Sequence, residues 1–179
     1  MPLHNALSHS YRSRTSNSCP ASFLAYNNLM IIKQTRNTLA DTYLDAVKIR
    51  RQVFIGEQGV PAAIEIDRNE AYCLHFVLYD DNGKPCATCR LLPDSNQKTV
   101  TLQRMAVLKE YRGQALGQEL MTYVLTYAQK QGIERISLHA QLSARTFYAK
   151  LGFQEEGERF EEAGIEHITM TKDLPHSPL

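Results

Sequence analysis

The sequence predicts an α/β fold in the broad, mixed α+β sense, with a mixed sheet of about seven strands and helices on both of its faces. Apolar residues follow the pattern of strands in seven short segments and the pattern of amphipathic helices in three longer ones. These strands and helices alternate along the chain, which is typical of a sheet covered by helices. A length of 179 residues fits one domain.

A strand is predicted at 30–35, and Thr38 offers an N-cap for the helix that follows. Gly and Pro at 59–61 end this helix, and the acidic stretch from there to Glu70 is predicted to be a loop. The stripe of the helix consists of Leu39, Tyr43, Ala46, Val47, Arg50 and Phe54.

The Asp-Asp-Asn-Gly turn at 80–83 joins two strands as a hairpin, because Asn-Gly tolerates the positive φ that such turns need. Gly132 and Gly152 end the two later helices. The predicted strands are 73–79, 84–92, 98–107, 133–139, 153–159 and 165–172, and the predicted helices are 115–131 and 142–151.

The composition excludes several classes of partner. The chain has 20 Lys and Arg against 19 Asp and Glu, so it lacks the overall basic field that nucleic acid or an acidic membrane surface would attract. No apolar run reaches the roughly 18 residues of a membrane helix. We therefore expect no nucleic-acid or membrane partner. The 4 Cys are too few for a disulfide framework, and we expect reduced thiols and a cytoplasmic location.

Residues 1–29 differ from the rest. They contain Ser and Asn in excess, two Arg and no acidic residue, which predicts a disordered N-terminal extension before a single domain at 30–179. The segment weakly resembles an organelle transit peptide. We favour an extension upstream of a true start at Met30, so truncation to Met30 should preserve folding and activity.

The loop before the helix at 115–131 has the character of an anion site. Helix N-termini bind anions through free N–H groups, and Arg112 adds a permanent charge. A plain strand-to-helix turn explains the same spacing equally well. A P-loop and a G-x-G-x-x-G fingerprint are both excluded by the sequence. The loop consists of Arg112, Gly113, Gln114, Ala115, Leu116 and Gly117.

A second motif follows one predicted strand later and decides between these alternatives. It matches the pattern Asn-x-x-Ala-x-x-Phe/Leu-Tyr-x-Lys-x-Gly-Phe at Ala144, Phe147, Tyr148, Lys150, Gly152 and Phe153, with Gln141 in place of Asn. With the 112–117 loop, which matches Arg/Gln-x-x-Gly-x-Gly/Ala except at Ala115, it resembles the GNAT superfamily of N-acetyltransferases. The segments 50–60, 138–141 and 164–168 resemble the ElaA-like bacterial branch.

The resemblance implies a mostly antiparallel sheet of about seven strands and acetyl-CoA as cosubstrate, held in a V-shaped opening between two strands. It implies that the backbone of Met105, Ala106 and Val107 pairs with the pantetheine, that the 112–117 loop holds the diphosphate, and that Gln141 contacts the cofactor. Tyr148 would be the general acid for the leaving thiolate. Ala115 is tolerable if it is helical, and would weaken binding if it needs a positive φ.

The general base is less defined. Glu57 is the first candidate, since the resemblance places it beside the opening, although a solvated Glu is an equal alternative. His75 and His139 are more readily structural, and a water is a further choice. His167 and Arg104 are candidates for contacting the substrate. His167 with Glu166 is more readily an ordinary surface pair, and Arg104 could instead anchor a carboxylate.

Cys86 and Cys89 have C-x-x-C spacing, but no second pair completes a zinc site, so we interpret them as buried thiols and expect no metal. The acidic run at 154–162 is interpreted as a solvated hairpin.

The implied activity is acetyl transfer from acetyl-CoA to a primary amine of a small molecule or peptide, and the resemblance also suggests a homodimer. The alternative is a non-catalytic acyl-CoA-binding module on the same fold.

Overall fold

The computed structural model of the chain describes residues 30–175, and the predictions made for residues 1–29 lie outside them. The strands are β1 (Ile31–Thr35), β2 (Leu74–Tyr79), β3 (Pro85–Pro93), β4 (Thr99–Val107), β5 (Arg135–Gln141), β6 (Gln154–Glu162) and β7 (Ile165–Asp173). The helices are α1 (Asp41–Arg50), α2 (Ala62–Glu65), α3 (Leu116–Lys130) and α4 (Arg145–Lys150).

The seven strands form one sheet in the order β1-β2-β3-β4-β5-β7-β6. β4 and β5 are parallel, and the other neighbouring pairs are antiparallel. The prediction of a mixed, mostly antiparallel sheet is therefore confirmed.

Helices cover both faces of this sheet. All six residues of β2 are buried, because Phe76 and Leu78 pack in the core under α3 while Val77 packs with Ala46 and Ile49 of α1. A strand that is apolar on both faces is what a sheet between two helical layers requires.

The first helix differs from the prediction at both ends. It starts at Asp41 with Ala40 as N-cap, so the prediction that Thr38 caps it is wrong. The Asn37 side chain accepts the Leu39 N–H at 2.9 Å and fixes a turn just before the helix instead. After Arg50 the chain widens into a π-helical turn, Arg51–Glu57, before Gly59 ends it at a φ of +71°.

The acidic stretch before Glu70 is also more ordered than predicted. It contains α2 and a short 3-10 turn at Glu70–Tyr72, and the carboxylates of Glu65 and Glu70 are buried. These carboxylates contact buried arginines, as described below, which is why a polar sequence turns inward here.

Candidate active site

The site begins where β4 and β5 part. The two strands pair only from Thr99 with Arg135 to Leu102 with Leu138. Beyond Leu102, β4 carries a bulge, in which Arg104 takes a left-handed φ of +57° and the register with β3 shifts. A bulge bends a strand and increases its twist, so β4 turns away from β5 and leaves a V-shaped opening.

A cavity occupies this opening. The bulged segment of β4, the end of β5, the π-helical turn and the turn between β6 and β7 line it. Its polar wall includes Gln58, Gln103, His139, Gln141, Tyr148 and His167. The Gln141 side chain donates to the Gln58 Oε1 at 3.0 Å, which links the end of β5 to the segment after α1.

The loop before α3 contains two left-handed residues. Gly113 has a φ of +77° and Ala115, the N-cap of α3, has a φ of +60°. The first backbone bond of the helix runs from the Glu119 N–H to the Ala115 carbonyl, so the N–H groups of the first turn are free of intrahelical acceptors. Of the two alternatives for Ala115, the positive φ is the correct one, and α3 starts at Leu116 rather than at 115.

Gly117 brings this loop against the opening. A Cβ at this position would lie 3.3 Å from the Met105 Cε, 3.4 Å from the Val107 Cγ2 and 3.6 Å from the Phe147 Cζ. The absence of a side chain therefore lets the first turn of α3 pack against β4 and α4. The two motifs found in the sequence are neighbours in space at this point.

Arg112 does not extend freely into solvent. Its guanidinium donates to both carboxylate oxygens of Glu57, at 2.8 and 3.0 Å, and to the Val107 carbonyl at 2.9 Å. Glu57 is not among the residues that line the cavity. This half-exposed pair ties the π-helical turn to the loop that precedes α3.

Tyr148 lies in the cavity wall with its ring packed edge-on against Phe147 and Phe153, at centroid distances of 5.0 and 5.9 Å. Burial raises the pKa of its phenol well above the usual value, and the buried Cys89 thiol adds to this. The hydroxyl forms no hydrogen bond with any residue in 30–175. Tyr148 therefore combines a place in the cavity wall with a protonated phenol that has no hydrogen-bond partner within residues 30–175.

The three histidines considered in the sequence differ in their surroundings. His75 is buried and does not line the cavity, and its Nε2 lies 2.9 Å from the Glu70 carbonyl. His139 lies half-exposed in the cavity wall, with its Nδ1 3.0 Å from the Glu162 carboxylate. His167 also lines the cavity but is buried, and its Nδ1 is 2.7 Å from the Ile165 carbonyl.

Arg104 anchors carboxylates instead of projecting alone into the cavity. It belongs to a closed arrangement, here called the charged ring, in which three arginines alternate with three carboxylates and each charge contacts two of opposite sign. In order of contact, the ring consists of Arg50, Glu65, Arg104, Asp67, Arg90 and Glu70, which contacts Arg50 again.

The ring forms part of the cavity wall through Glu65 and Arg104. Arg50 and Arg90 are 1% and 0% exposed, and Gln103 accepts from Arg90 at 2.9 and 3.1 Å. The ring thereby connects α1, the segment from α2 to Glu70, β3 and the bulge of β4. It holds the outer wall of the cavity against the strand that bends to open it.

The arginines determine the charge state of two ring members. Burial alone would raise the pKa values of Asp67 and Glu70, but the hydrogen bonds from Arg90 to Asp67 and from Arg50 to Glu70 outweigh it and lower both. For Glu65, the most deeply buried of the three carboxylates, burial dominates and raises the pKa against the attraction of Arg50 and Arg104. Asp67 and Glu70 are therefore carboxylates at neutral pH.

Sequence reasoning missed the ring, although two signals of it were present. Arg50 falls on the apolar stripe of α1, and Arg90 interrupts the apolar strand β3. An arginine at a core position needs a buried partner. Glu65, Asp67 and Glu70 were therefore the natural candidates for the buried partners of these arginines.

The comparison with known families identifies the family and its fold. Residues 40–174 match the acetyltransferase (GNAT) domain. The chain belongs to the GNAT family of acetyltransferases. It is similar to the Bacillus subtilis protein YyaT, with 37% identity over 140 residues that cover 76% of this chain and 92% of that protein.

Two further similarities agree with this assignment. The uncharacterized N-acetyltransferase YjcF of Bacillus subtilis is 38% identical over 131 residues, covering 72% of this chain and 91% of that protein. The crystal structure of Escherichia coli ElaA superposes with a TM-score of 0.71 and 25% identity, covering 80% of this chain and 99% of ElaA. The resemblance to the ElaA-like branch of GNAT proteins is thus confirmed.

The remaining sequence predictions concern thiols and excluded sites. Cys86 and Cys89 are buried free thiols, as predicted. Within residues 30–175, no group of three His, Cys, Asp or Glu side chains could hold a metal ion. None of the helices in this part of the chain is long and apolar enough to cross a membrane.

Proposed function

We propose that this GNAT-family enzyme transfers the acetyl group of acetyl-CoA to a primary amine of a small molecule or peptide by direct attack. The observation that carries the proposal is the parting of β4 and β5 beyond Leu102 at a cavity lined by Tyr148. The backbone of Met105, Ala106 and Val107 would pair with a pantetheine along the edge of β4 that β5 leaves, once the Val107 carbonyl is released from Arg112. N–H groups of the same segment would hold the oxyanion.

The diphosphate would bind at the loop from Arg112 to Gly117. Free N–H groups at the start of the 15-residue helix α3 face this loop and favour an anion. Arg112 reaches the diphosphate only if it gives up part of its pairing with Glu57. Gln141, on the opposite side of the opening, would contact the pantetheine.

Tyr148 would protonate the departing CoA thiolate, because burial keeps its phenol protonated and the residue lines the cavity with no hydrogen bond to its hydroxyl within residues 30–175. The role of Glu57 as general base stays a prediction. His167 and Arg104 line the region where the acceptor would enter.

The free thiols of the described cysteines support a reducing compartment such as the cytosol. A homodimer also stays a prediction.

The test uses acetyl-CoA with a panel of primary amines and measures the release of free thiol. Amine-dependent release by the wild type, lowered about 10²–10⁴-fold by Tyr148→Phe, is the expected result. Tyr123→Phe is the matched control, since Tyr123 is 40% exposed on α3 and does not line this cavity. Its activity should equal that of the wild type.

A binding measurement separates catalysis from simple capture of the cofactor. Calorimetry with CoA should show binding that Arg112→Glu weakens. Binding without thiol release across the whole panel would instead favour the non-catalytic acyl-CoA-binding module.

A further inference from the structure

Near its start, β7 places the imidazole of His167 in the wall of the cavity. In the register of the sheet His167 lies opposite Gln141, three residues beyond Leu138, where the pairing of β5 with β4 ends. Its side chain stacks on Phe160 with a centroid distance of 5.9 Å, and the residue is 8% exposed. His167 therefore occupies a fixed position on the side of the opening that faces the bulged segment of β4.

The hydrogen bond of His167 defines where its lone pair points. A backbone carbonyl can only accept, so the 2.7 Å contact with the Ile165 carbonyl places a proton on Nδ1. In the neutral ring the other nitrogen, Nε2, then carries a lone pair. No residue in 30–175 bonds to Nε2. The geometry therefore leaves a proton-accepting atom unengaged in a buried part of the cavity wall.

The carboxylates near the opening are already engaged. Glu57 lies in a bidentate pair with Arg112, and Glu65 is held between two arginines of the charged ring. Burial raises the pKa of Glu65, but Arg50 and Arg104 contact its two oxygens, so a proton could bind there only by breaking one of these ion pairs. His139 contacts Glu162 through Nδ1 and also leaves its Nε2 without a bond within residues 30–175. The His139 side chain is 51% exposed, however, whereas His167 is 8% exposed.

We propose that His167 is the catalytic residue that takes the proton from the acceptor amine; this assignment rests on the proposed acetyl transfer. The ammonium form of the acceptor gives one proton to the Nε2 of His167 and becomes a neutral amine. The nitrogen lone pair forms the bond to the acetyl carbon, the carbon–sulfur bond breaks, and its electron pair goes to sulfur.

The remaining protons balance without any further reactant. Tyr148 gives its proton to the thiolate and regains one from the nitrogen that has just been acylated. The proton on His167 leaves to solvent between turnovers. Several titratable or charged side chains line the same cavity and act on this proton transfer: His139, Glu162, Tyr148, Glu65 and Arg104.

The test uses two substitutions at this position. Asn places an amide nitrogen where the Nδ1 of His167 lies, so His167→Asn keeps a donor to the Ile165 carbonyl and removes the proton acceptor. We expect its amine-dependent thiol release to fall about 10²–10⁴-fold. CoA affinity and melting temperature should stay as in the wild type.

His167→Ala opens space for an added base. Free imidazole should restore its thiol release in proportion to concentration, which a structural role for His167 does not predict. The pH profile of kcat/KM should also lose its acidic limb in His167→Asn.

Each other result overturns a defined statement. If His167→Asn retains activity within about threefold of wild type, or if imidazole fails to rescue His167→Ala while CoA still binds, the assignment of His167 is wrong and acetyl transfer stands. If the fall in kcat/KM at low pH disappears in His139→Asn but persists in His167→Asn, His139 and not His167 is the proton acceptor. If the wild type binds CoA and releases no thiol with any amine, the proposed function fails and the assignment fails with it.

Discussion

Replacing Arg90 by Met tests whether the charged ring holds the fold together around the cavity. Arg90 is 0% exposed and donates to Glu70 at 2.8 Å and to Asp67 at 2.6 Å. Its removal leaves two carboxylates short of a partner in a buried site. Loss of one partner of a buried pair costs about 3–5 kcal/mol. For a domain of this size, that corresponds to a melting temperature lower by roughly 10–15 °C.

Arg135→Met is the matched control for this substitution. Arg135 also contacts two carboxylates, those of Glu156 and Asp173, both at 3.4 Å, but its side chain is 45% exposed. Exposed pairs contribute about 0–1 kcal/mol, so this variant should stay close to wild type. Urea unfolding followed by circular dichroism measures both. Equal losses in the two variants, or a loss below about 1 kcal/mol for Arg90→Met, would refute the argument from burial.

Three further predictions concern single residues. Ala115→Gly should raise the free energy of unfolding, measured in urea, by about 1 kcal/mol, because a left-handed φ is costly for a residue with a Cβ. A lower free energy of unfolding would contradict this. Glu57→Gln should tighten CoA binding in calorimetry by roughly twofold to fivefold, because it frees Arg112 from an exposed ion pair. Weaker binding would show that Glu57 and the diphosphate do not compete for Arg112. Burial lowers the pKa of His75 in the folded protein. At a pH below about 6.5, the unfolded state therefore binds more protons at this residue than the folded state does. The stability that the neutral ring contributes is lost as the pH falls through this range. The difference in unfolding free energy between pH values of about 7.5 and 5.5 should therefore shrink in His75→Asn, and an unchanged difference would assign the loss to other groups.

Most of the fold could be predicted from the sequence because its elements carry local signals. The turn at 80–83, the glycines that end helices and the alternation of apolar residues located six of the seven strands to within two residues at both ends, while β6 extends three residues beyond its predicted end at 159. The start of α1 was misplaced because Thr38 is a good capping residue, whereas the observed N-cap, Ala40, has no side chain that could signal a helix start.

The site was predicted only in part, for a physical reason. The 112–117 loop and Tyr148 belong to continuous motifs, so their proximity followed from the order of the elements. The charged ring joins residues from four separate segments, and no local pattern reports such contacts. The pairing of Glu57 with Arg112 likewise depends on the width of the π-helical turn, which the apolar stripe of the helix does not encode.

The parallel contact between β4 and β5 has a mechanical consequence. Four residue pairs, from Thr99 with Arg135 to Leu102 with Leu138, form all of the strand pairing between the first four strands and the last three. Each half of the sheet is more extensively paired internally than across this seam. Because one buried cluster that includes Leu102, Leu138 and Met170 spans this seam, side-chain packing and not backbone pairing joins the two halves of the sheet. Amide hydrogen exchange at Val100 and Ile136 should therefore rise more than elsewhere in the sheet when a core residue at the seam, such as Leu138, is truncated to Ala.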